Sequence, residues 1–166
     1  MPNEPNLIVL TINGERKEVR VWPTETLADT LRERLGLTGT RIMCNEGECG
    51  SCTLLIDGKP VLSCLTLAIE CEGKDILTIE GLADPTTGAL HPIQKAFVEH
   101  SGMQCGVCTA GVILTAKALF DENSEPTEDG VREALAGNLC RCGNYKSITK
   151  SVLAAAEMMK GDAQHG

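Results

Sequence analysis

The sequence predicts an α+β chain built in two parts, a sheet of short hairpins with one helix and then a bundle of four short helices. Three observations predict it. Strand-like runs closed by Asn13-Gly14 and Asp57-Gly58 turns fill the first half, and apolar residues at helical spacing fill the second. Between them lies a turn-rich stretch, Ala83-Asp84-Pro85-Thr86-Thr87-Gly88. The expected bounds are 1–83 for the first domain, 84–89 for the linker and 90–166 for the second domain.

Each element has a local reason. Leu7 to Ile12 alternates as a strand, and Lys17 to Trp22 returns beside it after the Asn13-Gly14 turn. Thr24 or Thr26 is placed to cap a helix whose Leu27, Leu31 and Leu35 share one face until Gly36 stops it. Thr53 to Ile56 and Val61 to Leu65 form a second hairpin, the latter strand carrying Cys64, and Ile76 to Ile79 is a last strand. Beyond the linker, Pro92 suits the first turn of a helix running to about His100, with Gly102 at its end. A second helix starts near Cys108 and includes Val112 to Phe120, with a loop from Asp121 to Pro126. Thr127 caps a third through Ala136, closed by Gly137, and Ser147 or Thr149 starts a fourth ending near Lys160.

Eight of nine cysteines fall into two sets of four, Cys44-x4-Cys49-x2-Cys52-x11-Cys64 and Cys105-x2-Cys108-x31-Cys140-x-Cys142. The first is the plant-type ferredoxin spacing that holds a [2Fe–2S] cluster, and with the order of strands and helix it points to a β-grasp ferredoxin domain. Glycines in Cys44-Asn45-Glu46-Gly47-Glu48-Cys49-Gly50-Ser51-Cys52 let amide N–H groups turn toward the sulfurs of an anionic core. Structural zinc is the competing reading, but its sites pair two short knuckles, and three cysteines within nine residues do not. The second set alone suits zinc or iron–sulfur. Its cysteines sit at two helix–helix connections, where helix N-termini favour an anion, and Arg141 between two of them either adds to that field or only balances charge. Disulfides fit poorly with an odd count, and Cys71 is left as a bystander.

Composition excludes other classes. Trp22, Phe97, Phe120 and Tyr145 are the only aromatics, too few for stacking nucleobases or a large aromatic pocket. Formal charge is −8. Two oxidised clusters would take it to about −12, which disfavours nucleic acid and anionic membranes as partners. Met1-Pro2-Asn3-Glu4-Pro5-Asn6 is polar and acidic, unlike an export signal, and no apolar run nears the roughly 18 residues of a membrane span. Both readings lead to a cytoplasmic expectation, with no direct membrane insertion. His91, His100 and His165 cluster with no carboxylates and read as surface or capping residues, so no catalytic residue is expected. Such thin cores predict that folding depends on the clusters.

Three segments carry a family resemblance: Cys-Asn-Glu-Gly-Glu-Cys-Gly-Ser-Cys-Thr at 44–53, Gln-Cys-Gly-Val-Cys-Thr-Ala-Gly at 104–111 and Gly-Asn-Leu-Cys-Arg-Cys at 137–142. The chain resembles, over nearly its whole length, the small iron–sulfur subunits of the molybdenum hydroxylases, the xanthine dehydrogenase, aldehyde oxidoreductase, carbon monoxide dehydrogenase and 4-hydroxybenzoyl-CoA reductase type. The resemblance implies two [2Fe–2S] clusters on Cys44, Cys49, Cys52, Cys64 and on Cys105, Cys108, Cys140, Cys142. It implies a large molybdopterin-binding subunit and a medium FAD-binding subunit as partners, with Gln104 and Cys142 approaching the pterin. Electrons would run from molybdenum through the helical-domain cluster to the β-grasp cluster and then to FAD. The chain departs from the family pattern at Ala110, at Gly143-Asn144 and at Met43, although Asn144 is able, at some cost, to take the left-handed conformation a glycine would use.

The expected function is therefore a one-electron relay in an oxidoreductase complex, without a substrate-converting site of its own. Competing readings are a hydroxybenzoyl-CoA reductase subunit with reversed flow, a free-standing two-cluster ferredoxin, and a zinc-stapled interaction module.

Overall fold

The structure, a computed structural model, describes residues 4–163. Met1 to Asn3 of the acidic N-terminal segment and His165 lie outside the described residues. Strands β1 (Asn6–Ile12) and β2 (Glu15–Val21) pair antiparallel, with Asn6 opposite Val21 and Ile12 opposite Glu15. Asn13 and Gly14 both take positive φ, as a tight two-residue hairpin turn requires. Ile8, Leu10, Ile12, Val19 and Val21 alternate inward, each burial contributing about 1.5–3 kcal/mol.

Helix α1 (Leu27–Asp29) continues as a wider π-type turn, Thr30–Arg34. Thr26 is the cap, its hydroxyl accepting from Asp29 N at 3.1 Å. The Glu25 carboxylate ties the helix to the end of β2, accepting from Trp22 N, Thr30 Oγ1 and the Arg34 guanidinium. Strands β3 (Thr53–Ile56), β4 (Lys59–Leu62) and β5 (Asp75–Leu77) complete a five-stranded sheet of order β2-β1-β5-β3-β4. β1 and β5 are parallel and the other pairs antiparallel.

Two strand expectations shift. β4 ends at Leu62, so Cys64 lies past the strand in a turn, where Leu65 N bonds back to Leu62 O. The last strand ends at Leu77 because Thr78 bonds instead to the Asn13 side chain, and Ile79–Gly81 forms a 3₁₀ turn.

The second half is α2 (Pro92–Glu99), α3 (Thr109–Glu122), α4 (Glu128–Ala134) and α5 (Tyr145–Ala163). α4 ends before the expected Ala136 because Ala136 N and Asn138 N turn back onto Glu133 and Leu135 carbonyls. α5 starts earlier than Ser147, since the Asn144 carbonyl already accepts from Ile148 N. Phe97, Val112, Ala116, Val131, Val152 and Ala155 form the helical core. Leu114 and Ala118, on another face of α3, pack into the core beneath the sheet. Helix α3 thus serves both halves.

Candidate metal centres

The Cys44–Cys52 loop wraps back on itself. The Glu46 N–H lies 3.4 Å from Cys44 Sγ, and this amide, followed by the Cys49 thiol and the Cys49 and Glu48 amides, lowers Cys44 to about 7. Cys52 and Cys64 lie side by side with Ala28 in a small buried cluster. Burial, and then the adjacent Cys52 thiol, pushes Cys64 up to about 11, while the Gly47 amide opposes this. The loop and the turn after β4 therefore bring all four thiols of the first set together as two neighbouring pairs, Cys44 with Cys49 and Cys52 with Cys64.

The second set pairs in the same way across two helix connections. Cys105 lies beside Cys142, and the Val107 amide, then the Cys142 thiol, lowers Cys105. Cys108 lies beside Cys140, and burial followed by that thiol pushes Cys108 up to about 12. Cys105 and Cys142 are exposed, whereas Cys108 and Cys140 are buried. Tyr145 holds the Cys140 segment, its hydroxyl oxygen accepting from Cys140 N at 3.0 Å. Asn144 Nδ2 donates to Ser101 O at 3.0 Å, tying the Cys140–Cys142 loop to the loop that leads into Cys105. Gly143 takes the left-handed conformation, φ 70°, so Asn144 is not called on to adopt it.

Among the described residues no three His, Cys, Asp or Glu side chains group around one point as for a single ion. Pairs of thiols are what a two-iron rhomb takes, one pair per iron, and amides aimed at the sulfurs suit its negative charge. Ser51, fully buried between Cys49 and Cys52, has a hydroxyl with no protein partner, a donor left free in the same loop. The residues fit a [2Fe–2S] core in each half.

The two sets meet at a close seam. Leu139 N, next to Cys140, donates to the carbonyl of Cys49 at 2.9 Å. Asn138, 6% exposed, donates through Nδ2 to Gly50 O at 3.0 Å. Gly50 has φ +68°, and a Cβ there would stand 2.3 Å from Gly137 O; a Cβ at Gly111 of α3 would stand 2.3 Å from Gly50 O.

Gln104 is exposed beside Cys105 and makes no side-chain hydrogen bond among the described residues. Arg141 and Met43 are exposed. Cys71 is buried, its thiol 3.5 Å from Leu67 O, away from both sets. His91 caps α2, with Nδ1 accepting from Ile93 N and Gln94 Oε1 accepting from His91 N. Sequence reasoning missed Tyr145, Asn138 and the Gly50–Gly111 contact. Only the placement of Asn138 and Tyr145 close to Cys140 hinted at them. Beside the second set, α3, α4 and α5 leave an open groove of about 830 Å³, lined by Leu135, Leu139 and Leu153 together with Lys146, Lys150 and the Arg132–Glu128 ion pair.

Comparison with known proteins is consistent across the chain. Residues 10–76 match the family described as a 2Fe-2S iron-sulfur cluster binding domain, and residues 78–153 match a [2Fe-2S] binding domain. The nicotine 6-hydroxylase small subunit of Paenarthrobacter nicotinovorans is 48% identical over 154 residues, 93% of this chain and 92% of that one. The nicotinate dehydrogenase small FeS subunit of Eubacterium barkeri is 44% identical over 150 residues, 90% of this chain and 94% of that one. A chain of quinoline 2-oxidoreductase from Pseudomonas putida 86 superimposes with a TM-score of 0.90 at 46% identity, covering 96% of this chain and 98% of that chain.

Proposed function

The chain belongs to the small iron–sulfur subunits of the molybdenum hydroxylase family, and we propose from that membership and the paired thiols how its residues relay electrons. It is the electron-transfer subunit of an oxidoreductase complex and carries two [2Fe–2S] clusters. Each cluster, when bound, supplies one-electron storage at an anionic centre.

Cys44 and Cys49 hold one iron of the first cluster and Cys52 and Cys64 the other; Cys105 with Cys142, and Cys108 with Cys140, do the same in the second. The amides of Glu46, Gly47 and Val107 stabilise the added negative charge. Tyr145 fixes the Cys140 backbone, and burial of Cys108 and Cys140 excludes water from that edge.

The sheet half is read as a β-grasp of the plant-type ferredoxin kind, for which the parallel β1–β5 pair and the packing of Leu27 and Leu31 against the sheet speak, and α2 to α5 as a four-helix bundle. The boundaries at 1–83, 84–89 and 90–166 are supported by the turn in which Asp84 Oδ1 accepts from Thr86 N and Thr87 N. A reducing cytoplasm suits cysteines that must stay reduced to take up iron, and no described helix is long and apolar enough to cross a membrane.

The exposed edge formed by Gln104, Cys105 and Cys142 faces the molybdopterin of a large subunit. The first cluster, flanked by exposed Met43 and Leu65, faces a flavin in a medium subunit. The groove beside Leu139 takes an acidic segment of the large subunit, because Lys146 and Lys150 bring local positive charge to an apolar wall in a chain of net −8. The observation that carries the functional reading is the pairing of eight thiols around two centres, one of them with an exposed edge. Affinity purification of the tagged chain from its own cell tests the partners: a large molybdopterin chain and a flavin chain are expected to accompany it. Lys146→Glu with Lys150→Glu is expected to lose the large chain. A lone brown chain, or retention unaffected by the double substitution, would refute the respective assignments.

A further inference from the structure

We propose that the Ser51 hydroxyl donates a hydrogen bond to a sulfur of the first cluster and so raises that cluster's potential relative to the second. The proposal rests on the cluster assignment above. Ser51 is 0% exposed, and its Oγ is a buried side-chain atom with no hydrogen-bond partner among the described residues. Shutting a hydroxyl away from water without a partner is costly, and alanine would fill nearly the same space without that cost.

The surrounding carbonyls are already engaged. Gly50 O accepts from Thr53 N, Thr53 Oγ1 and Asn138 Nδ2 at 3.2, 2.8 and 3.0 Å. Cys52 O accepts from Ser63 Oγ at 2.7 Å and Ser63 N at 3.4 Å, and Cys49 O from Leu139 N at 2.9 Å. What remains beside Ser51 is sulfur. Its neighbours Cys49 and Cys52 are assigned to the two irons of the first cluster, and both are 3% exposed, so bulk water does not serve as the partner. A hydroxyl donating to an anionic centre makes the stronger, charge-assisted kind of hydrogen bond, and that bond strengthens as an electron adds charge to the sulfurs.

The second set supplies the contrast within the same chain. Cys49-Gly50-Ser51-Cys52 and Cys105-Gly106-Val107-Cys108 share one pattern, and where the first carries a hydroxyl the second carries an isopropyl group. The Val107 amide reaches Cys105, but the valine side chain has nothing to donate. The hydroxyl therefore biases the pair so that an electron settles on the first cluster. In that step the second cluster is oxidised by one electron, the first is reduced by one, and the Ser51 proton stays on its oxygen.

The test compares wild type with Ser51→Ala in the assembled complex by redox titration, following the paramagnetic signal of each cluster. One-electron reduction of the first cluster is expected to become about tenfold less favourable, a fall of about 59 mV. The potential of the second cluster and the iron and sulfide content are expected to stay unchanged. Ser51→Thr, which keeps the hydroxyl, is expected to keep the wild-type potential. Resonance Raman spectra are expected to show Fe–S stretches that shift in D2O more in wild type than in Ser51→Ala. An unchanged first-cluster potential in Ser51→Ala overturns the proposal. So does an equal shift of both clusters or a loss of iron, either of which would make Ser51 a packing residue. Should the alanine variant fail to load, a crystal structure of the loaded wild-type complex decides: Ser51 Oγ on a sulfur supports the proposal, and Oγ on a carbonyl or an ordered water overturns it. Wild-type material with fewer than two cluster signals would instead defeat the cluster assignment.

Discussion

Gly111→Ala sets two effects of known sign against each other. Gly111 lies in α3, where alanine is favoured over glycine by about 1 kcal/mol. Its Cβ would stand 2.3 Å from Gly50 O, and the obstacle is a backbone carbonyl pinned by Asn138 rather than the free end of a side chain. Relieving such overpacking costs about 1–3 kcal/mol. If the seam opens to relieve it, the Asn138 bond adds about 0.5–1.5 kcal/mol of loss. The clash wins, and a net destabilisation of about 0.5–3.5 kcal/mol is expected, each kcal/mol lowering Tm by about 2–4 °C in a chain of this size. Gly161→Ala in α5 is the matched control, because a Cβ there meets nothing within 4 Å. It is expected to leave stability unchanged or raise it by up to about 1 kcal/mol. Urea midpoints of the cluster-loaded proteins read the difference. A Gly111→Ala variant as stable as wild type would show that the seam is loosely packed and refute the reasoning.

Two further predictions concern the helical half. Burial and then the Lys117 ammonium lower the pKa of His91, with Asp121 opposing, so the fold favours the neutral imidazole whose Nδ1 caps α2. The cap's contribution, about 0.5–2 kcal/mol, is therefore complete above the unfolded histidine value and lost as pH falls through the lower folded one. Urea midpoints between about pH 5.5 and 8 should fall with acidity in wild type and stay flatter in His91→Asn, which keeps an acceptor that does not titrate; parallel curves would contradict the cap's role. Cys142→Ser should alter the paramagnetic signal of the second cluster alone and slow reduction by substrate in the complex. A change confined to the signal of the first cluster would reverse the assignment of the two sets.

Much of this architecture was legible because it rests on local chemistry. The Asn13-Gly14 turn, the Thr26 and Thr127 caps and the leucine face of α1 are written in neighbouring residues, and within each of the two sets that cysteine spacing delimits the thiols lie side by side in pairs. Non-local competition governed what was missed. The last strand stops at Leu77 because Thr78 bonds to Asn13, 65 positions away, and Cys64 left its strand for a turn. The Asn138–Gly50 bond spans 88 positions, beyond any periodicity argument. Gly143 takes the left-handed backbone, and the Asn144 side chain bonds Ser101 O, 43 positions away.

Iron and acid-labile sulfide measured per chain on intact material test the central claim most directly. Two [2Fe–2S] centres require about four of each per chain. About two of each, or zinc without sulfide, would contradict the two-cluster relay.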